Sequence, residues 1–219
     1  MTFSIVARDP MTGAFGAATA TGTPVAGGFV LHLAADIGAI VTQGLSTNPL
    51  YGGRGLRLLE ANFDAEETLR KLIDEDDGRD ARQVIVIDRN GATAGWTGAD
   101  NVESRNLILA PNMAVAANWV ISADVTFKLR ETFDNAAAAT FAGRLIEALA
   151  AGERAGGDRR GIRSAAVRVV SRNHPPVDLR ADFDARPITR LAEIHHATLA
   201  PDFQEFLARV PTIANPTRR

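Results

Sequence analysis

The chain has no cysteine, which excludes disulfide bridges, a thiol nucleophile and every cysteine-ligated zinc or iron–sulfur site. Lysine is nearly as scarce. Lys71 and Lys128 are the only two, and neither completes the G-x-x-x-x-G-K-[ST] pattern of a phosphate-binding loop, so nucleotide binding has no support. A surplus of either charge is also missing: 24 basic against 26 acidic residues leave a net charge of −2, no electrostatic footprint for nucleic acid or an anionic membrane. No run of about twenty apolar residues exists to span a bilayer; the apolar stretch at 27–41 is interrupted by His32 and Asp36. The histidines, His32, His174, His195 and His196, show no H-E-x-x-H spacing, so no metal and no cofactor is expected. The first ten residues carry no basic leader ahead of an apolar core, so a secretory signal is not expected and the cytoplasm is. What is present is ordinary globular composition, 46% hydrophobic and 23% charged over 219 residues, enough for one sizeable core.

Local patterning gives the organisation. Residues 3–8 are rich in β-branched and aromatic side chains, 9–13 supply turn chemistry, and the small-residue run 14–21 follows, which predicts a hairpin beginning at residue 2. A third strand is expected at 37–43. Two short helices follow, marked by Leu56 and Leu59 and then by Leu69, Leu72 and Ile73. Arg89-Asn90-Gly91 between apolar runs at 83–88 and 92–97 is a hairpin signal. Strand composition recurs at 107–109 and 113–117. Ile121, Val125, Leu129 and Phe133 then predict one amphipathic helix, and Phe141, Leu145 and Leu149 a second. Strands are expected again at 164–171 and 177–183, and Pro187 opens a last helix, about 187–210, carrying Leu191, Ile194, Phe203, Phe206 and Leu207. Hairpins with helix pairs inserted between them predict an α+β fold, a four-layer αββα sandwich of two stacked antiparallel sheets with helices outside. No linker and no internal repeat is visible, so 1–219 reads as a single domain.

Thr2 is the most informative position. Removal of Met1 would put a hydroxyl and a free α-amine on one residue at the start of a strand, and an amine with a reference pKa near ~8 can take the hydroxyl proton near neutrality without a histidine. The alternative is a plain β-branched strand residue. Asn118, at a strand end before a helix, can offer an amide N–H to a developing oxyanion, or equally cap that helix. The glycine-rich run at 156–166 gathers Asp158, Arg160 and Ser164: a guanidinium held by a carboxylate can bind a substrate carboxylate, or the run is a glycine C-cap with a solvated loop. Thr42-Gln43 and the Asn48-Pro49-Leu50-Tyr51-Gly52 segment offer Gln43, Asn48 and Tyr51 as pocket-lining groups, or as turn and packing residues.

Residues 2–9 (TFSIVARD), 39–43 (AIVTQ), Asn48-Pro49 with Tyr51-Gly52, 82–88 (RQVIVID) and 156–166 (GGDRRGIRSAA) together resemble the bacterial and archaeal domain-of-unknown-function 1028 family, over roughly 2–182. The resemblance implies membership of the N-terminal nucleophile (Ntn) hydrolases, with an αββα sandwich and amide-bond hydrolysis by an N-terminal nucleophile, here Thr2. Asn118 matches the family's asparagine after its later strand, and Asp158 and Ser164 match its glycine-rich motif. The chain departs from the family at 21–28 and 117–120, which implies a different substrate preference.

The leading expectation is therefore an amidohydrolase acting on a C–N bond of a small molecule, with Thr2 and Asn118 catalytic and Gln43, Asn48, Tyr51, Asp158, Arg160 and Ser164 binding substrate. A non-catalytic ligand-binding or assembly protein on the same fold is the alternative, and metal-assisted hydrolysis through His32 or the C-terminal histidines a third. A homodimer or higher homo-oligomer is expected, with the last helix as its contact.

Overall fold

In the computed structural model, which describes residues 2–219, the chain folds as β1 (Thr2–Arg8), β2 (Phe15–Thr21), β3 (Leu31–Ala34), β4 (Gly38–Gly44), α1 (Leu50–Glu60), α2 (Ala65–Asp74), β5 (Arg82–Asp88), β6 (Thr93–Thr97), β7 (Asn106–Ala110), β8 (Met113–Asn118), α3 (Asp124–Asn135), α4 (Phe141–Arg154), β9 (Ser164–Val170), β10 (Val177–Ala181), α5 (Pro187–Thr198) and α6 (Pro201–Arg209). Met1, on whose removal the nucleophile expectation depends, lies outside the described residues.

Side-chain alternation decides the layers, because successive residues of a strand face opposite sides. In β1, Phe3, Ile5 and Ala7 pack with Leu129, Leu145 and Leu149 of α3 and α4, whereas Val6 faces the other way and packs with Ile85 and Ile87 of β5. Val84 and Val86, the intervening residues of β5, pack with Tyr51, Leu59 and Leu72 of α1 and α2. The result is a six-stranded sheet, β10-β9-β2-β1-β8-β7, stacked on a four-stranded sheet, β3-β4-β5-β6, with every pairing antiparallel. The first two helices cover the smaller sheet and α3 to α5 the larger, giving the expected αββα sandwich.

Ends are set by local chemistry. Asp64 and Glu67 form a capping box on α2, and Thr140 caps α4. The hairpin between β5 and β6 turns at Gly91, whose φ of +83° suits glycine, with the Asp88 carboxylate accepting from the Asn90 and Ala92 amides.

Four details differ from the sequence expectation. Residues 31–34, which looked like part of one apolar run, form β3, and Asp36 at φ +64° turns the chain into β4 so that Ile37 is not in a strand. Ile121 precedes α3 and is half exposed, and Phe183 lies beyond β10, exposed. The last helix is two: Ala200, extended at ψ 141° because a residue before proline disfavours helical backbone, separates α5 from α6. Leu191 and Ile188 of α5 are buried, whereas α6 buries nothing and leaves Phe203 and Phe206 exposed. Among the described residues no helix is long and apolar enough to cross a membrane.

Helix α1 lies against β3 so closely that a Cβ on Gly52 would overlap the His32 ring. Gly52→Ala is therefore expected to lower the unfolding free energy by about 1–3 kcal/mol in a denaturant titration, despite the ~1 kcal/mol advantage of alanine in a helix. Unchanged or raised stability would show that the two elements are not so tightly packed.

Candidate active site

The inter-sheet face of β1 carries Thr2, Ser4 and Val6 in alternate positions. Only the first two are polar, so the space between the sheets is apolar along most of its length and polar at one end. Strand register builds that end: Thr2 lies opposite Thr21 of β2 on one side and Asn118 of β8 on the other, and Thr21 lies opposite Ser164 of β9. Ser164, Thr21, Thr2 and Asn118 thus form one row across four strands. The facing sheet answers with a row of its own, Gln43, Gln83 and Thr97, aligned across β4, β5 and β6.

The two rows are joined by hydrogen bonds between buried groups. Gln43 Nε2 donates to the Thr2 carbonyl (3.2 Å) and to Gln83 Oε1 (2.6 Å), which also accepts from Asn118 Nδ2 (3.0 Å). Ser4 Oγ donates to Gln43 Oε1 (2.6 Å) and, its one proton thus engaged, accepts from Thr19 Oγ1 at 2.8 Å. The Thr2 hydroxyl bonds to Thr21 Oγ1 at 3.2 Å, and Thr21 Oγ1 lies 3.3 Å from Thr23 Oγ1. Hydroxyls and primary amides make up this network, and among the described residues no ionisable side chain hydrogen-bonds to the Thr2 hydroxyl.

Above the rows lies a cavity of about 250 Å³, lined by Thr2, Thr21, Gln43 and Asn118 at its base and by Phe29, Val30, Leu45, Val102, Trp119 and Arg160 among its walls. Trp119, at φ +56°, turns the chain out of β8 immediately after Asn118, and the Arg160 guanidinium sits 5.3 Å from its ring centroid. Asp158, its side chain fully buried, organises this wall. Its carboxylate accepts from the Gly22 amide (2.5 Å), from the Arg160 amide (2.7 Å) and from the Arg160 guanidinium (3.1 Å), tying the 22–24 and 158–160 loops together. A Cβ at residue 22 would stand 2.6 Å from that carboxylate oxygen, so the approach requires glycine. Ser164 supports the same loop from below, donating to the Thr23 carbonyl (2.6 Å) and accepting from the Ala26 amide (3.2 Å).

Of the residues singled out from sequence, Thr2, Gln43, Asn118 and Arg160 therefore line one cavity, and Asp158 and Ser164 hold its walls. His32 is in β3, its Nε2 3.1 Å from the Phe29 carbonyl, and burial holds its pKa below the usual value. His195 lies on α5 beside Thr140. No three His, Asp or Glu side chains come together as a metal-holding group among the described residues. Sequence reasoning missed Ser4, Thr21 and Gln83. The first follows from Thr2 by the period of two, the second from the register of the expected hairpin, and the third stands out as an amide opening the otherwise apolar run 84–87.

Residues 2–191 match the family model described as a family of unknown function, DUF1028. The chain belongs to this family. A crystal structure of a DUF1028 protein from Silicibacter pomeroyi is similar to it at a TM-score of 0.93 and 32% identity, over 99% of this chain and 98% of that one. Anbu (ancestral beta-subunit) from Yersinia bercovieri is similar at a TM-score of 0.41 and 12% identity, over 95% and 98%, too distant to bear on the site. No curated protein matches.

Two further expectations take a different place in this DUF1028 chain. Asn48 and Tyr51 do not line the cavity; they meet Asp76 at the helical side of the small sheet, through Asn48 Nδ2 (2.9 Å) and Tyr51 Oη (2.8 Å), together with Arg82 Nε at 3.1 Å. The strand period is the reason: Gln43 faces the sheet interface, whereas its neighbour Thr42 faces α1 and donates to the Asn48 carbonyl at 3.3 Å. Burial, followed by the hydrogen bond to Asp76, pushes the Tyr51 hydroxyl above its ordinary range. Burial would raise the Asp76 carboxyl too, but hydrogen bonds from Arg82, Asn48, Tyr51 and the Gly78 amide together hold it well below. A depressed carboxyl stabilises the fold above its unfolded pKa of about 3.9 and loses that contribution as pH falls through and below this value. Asp76→Asn should accordingly cost about 1.5–3 kcal/mol at neutral pH, the hydrogen bonds to a charged group being lost, and progressively less below pH ~4. Denaturant titrations at neutral and acid pH check this, and a pH-independent difference would contradict it.

Proposed function

We propose that this protein is an N-terminal-nucleophile amidohydrolase of a small molecule, with Thr2 as nucleophile once Met1 is removed. The observation that carries the reading is the cross-strand pair Thr2 and Asn118: a hydroxyl and an amide donor side by side at the base of a cavity. In the reaction, Thr2 Oγ attacks the substrate carbonyl carbon while its proton passes to the Thr2 α-amine. Asn118 Nδ2–H and a backbone N–H stabilise the resulting oxyanion. The C–N bond then breaks, the departing amine takes the proton from the α-ammonium, and an acyl ester remains on Thr2. Water, deprotonated by the same amine, attacks the ester, and the carboxylic acid leaves as Thr2 Oγ recovers its proton. The α-amine is the required base because no ionisable side chain among the described residues hydrogen-bonds to the Thr2 hydroxyl.

Size and walls bound the substrate. A cavity of about 250 Å³ falls below the ~300–1,000 Å³ typical of drug-sized ligands. Arg160 suits a carboxylate-bearing acyl or amino-acid derivative. Self-association belongs to the same reading, with the exposed Phe203 and Phe206 of α6 covered by a second copy, and a sedimentation mass of 23.3 kDa would refute it.

The buried hydrogen bond from the Thr2 hydroxyl to Thr21 favours one rival, a ligand-binding protein in which Thr2 only supports the cavity. Intact mass separates the two. A chain lacking Met1 is expected, with turnover of a screened N-acyl or cyclic amide abolished by Thr2→Ala and kept within about an order of magnitude by Thr2→Ser, which retains the hydroxyl. Uniform retention of Met1, or full turnover by Thr2→Ala, would leave the binding reading in its place.

A further inference from the structure

We propose that Gln83 is a positioning residue that fixes which end of the Asn118 amide faces the cavity; the catalytic meaning of this rests on the amidohydrolase reading above. A side-chain amide is nearly symmetric in shape and opposite in polarity at its two ends. Asn118 serves an oxyanion only if its NH2, and not its carbonyl oxygen, points at the substrate. Nothing in the asparagine itself makes that choice.

The choice is made one residue deeper. Gln83 Nε2 lies 3.1 Å from the Ala117 carbonyl and 3.3 Å from the Asn106 carbonyl, and 2.9 Å from Thr97 Oγ1. Backbone carbonyls accept and never donate, so this end of Gln83 must be its NH2, and the other end, Oε1, must face Gln43 and Asn118. An acceptor oxygen at 2.6 Å from Gln43 and 3.0 Å from Asn118 obliges both to present nitrogen. Gln43 then turns its own oxygen to Ser4, the donor that waits there. One Nδ2 hydrogen of Asn118 is spent on Gln83, and in the proposal the second serves the cavity that Asn118 lines. The Ala117 carbonyl, belonging to the residue before Asn118, thereby sets the polarity of the Asn118 side chain through a glutamine on the opposite sheet. All three amide side chains are at least 97% buried, so water has little part in the choice. Reversing Asn118 would put two acceptor oxygens against each other at Gln83 and aim a carbonyl oxygen at the developing negative charge.

The test compares Gln83→Met, which removes the acceptor while keeping the length of the side chain, with Gln83→Glu, which keeps an acceptor oxygen facing Asn118. The probe is 4-nitrophenyl acetate, applied in single turnover to chain lacking Met1. Acylation is followed by nitrophenolate release and by an added acetyl group on Thr2 that hydroxylamine removes. Loss of one oxyanion donor costs about 10²–10³-fold, so Asn118→Ala should fall in that range, Gln83→Met at about tenfold or more, and Gln83→Glu closer to wild type than Gln83→Met. In the Asn118→Ala background, Gln83→Met should slow acylation no further, since it acts through the missing amide. Equal rates for the Met and Glu variants, or multiplicative losses in the double variant, would overturn the proposal. A separate readout needs no chemistry. In the unsubstituted protein, side-chain NMR should show one Asn118 Nδ2 hydrogen exchanging slowly, and rapid exchange of both would overturn the positioning role. Retained Met1, or indifference to the ester, would end the amidohydrolase reading alone, and the exchange measurement would then decide the role of Gln83 by itself.

Discussion

Gln43 and Gln83 are buried between two β-sheets, and a buried amide that loses a partner costs about 1–3 kcal/mol. Along the rest of the interface the sheets meet through Val6, Phe15, Ala17, Ile85 and Ile87, which fit many relative placements so long as volume is kept. The amides fit very few. Gln83 bonds to Gln43 and Thr97 of its own sheet and to Asn106, Ala117 and Asn118 of the opposite one, so sliding one sheet by a single residue breaks several bonds together. The polar end of the sandwich therefore fixes the alignment that the apolar end leaves loose, and the cavity above inherits its dimensions from that alignment.

This arrangement divides support from contact. Thr2, Asn118 and Arg160 reach the cavity, whereas Ser4, Gln83, Asp158 and Ser164 stand behind them and hold backbone or side chains in place. The base of the cavity sits on strands, the more rigid kind of scaffold. Its upper wall comes from loops closed by the buried Asp158 carboxylate, and there Arg160 and Trp119 supply the features that differ most in chemistry from the uncharged base. Substitutions can change the chemistry of the wall without disturbing the row below.

Much of this was legible in the sequence. The alternation of 3–8, the Asn90-Gly91 turn and the helical spacing of Leu129 and Phe133 are local signals, and they led to two antiparallel sheets with helices outside. Where reading failed, the deciding interaction was not local. Residues 31–34 form a strand because β4 pairs with them, and Asn48 and Tyr51, hydrogen-bonding groups beside an apolar strand that suited a pocket lining, instead meet Asp76, which is distant in sequence. Gln83 stands out in the sequence as an amide beside an apolar run, but its role does not, because its partners Gln43, Asn106 and Ala117 are all at least 23 residues away. The division of the last helix was a local signal overlooked, since Pro201 announces it.

The direction of β1 has a practical side. The strand runs from the cavity, where Thr2 is nearly buried, to a turn at the opposite end where Met11 is 91% exposed. Under the reading proposed above, an affinity tag fused ahead of Thr2 would leave that residue without a free α-amine, so a tagged preparation would be inert for that reason alone. The turn at residues 10–13 accepts additions at a distance from the cavity, being solvent-facing and joined to its surroundings by a few bonds around Asp9.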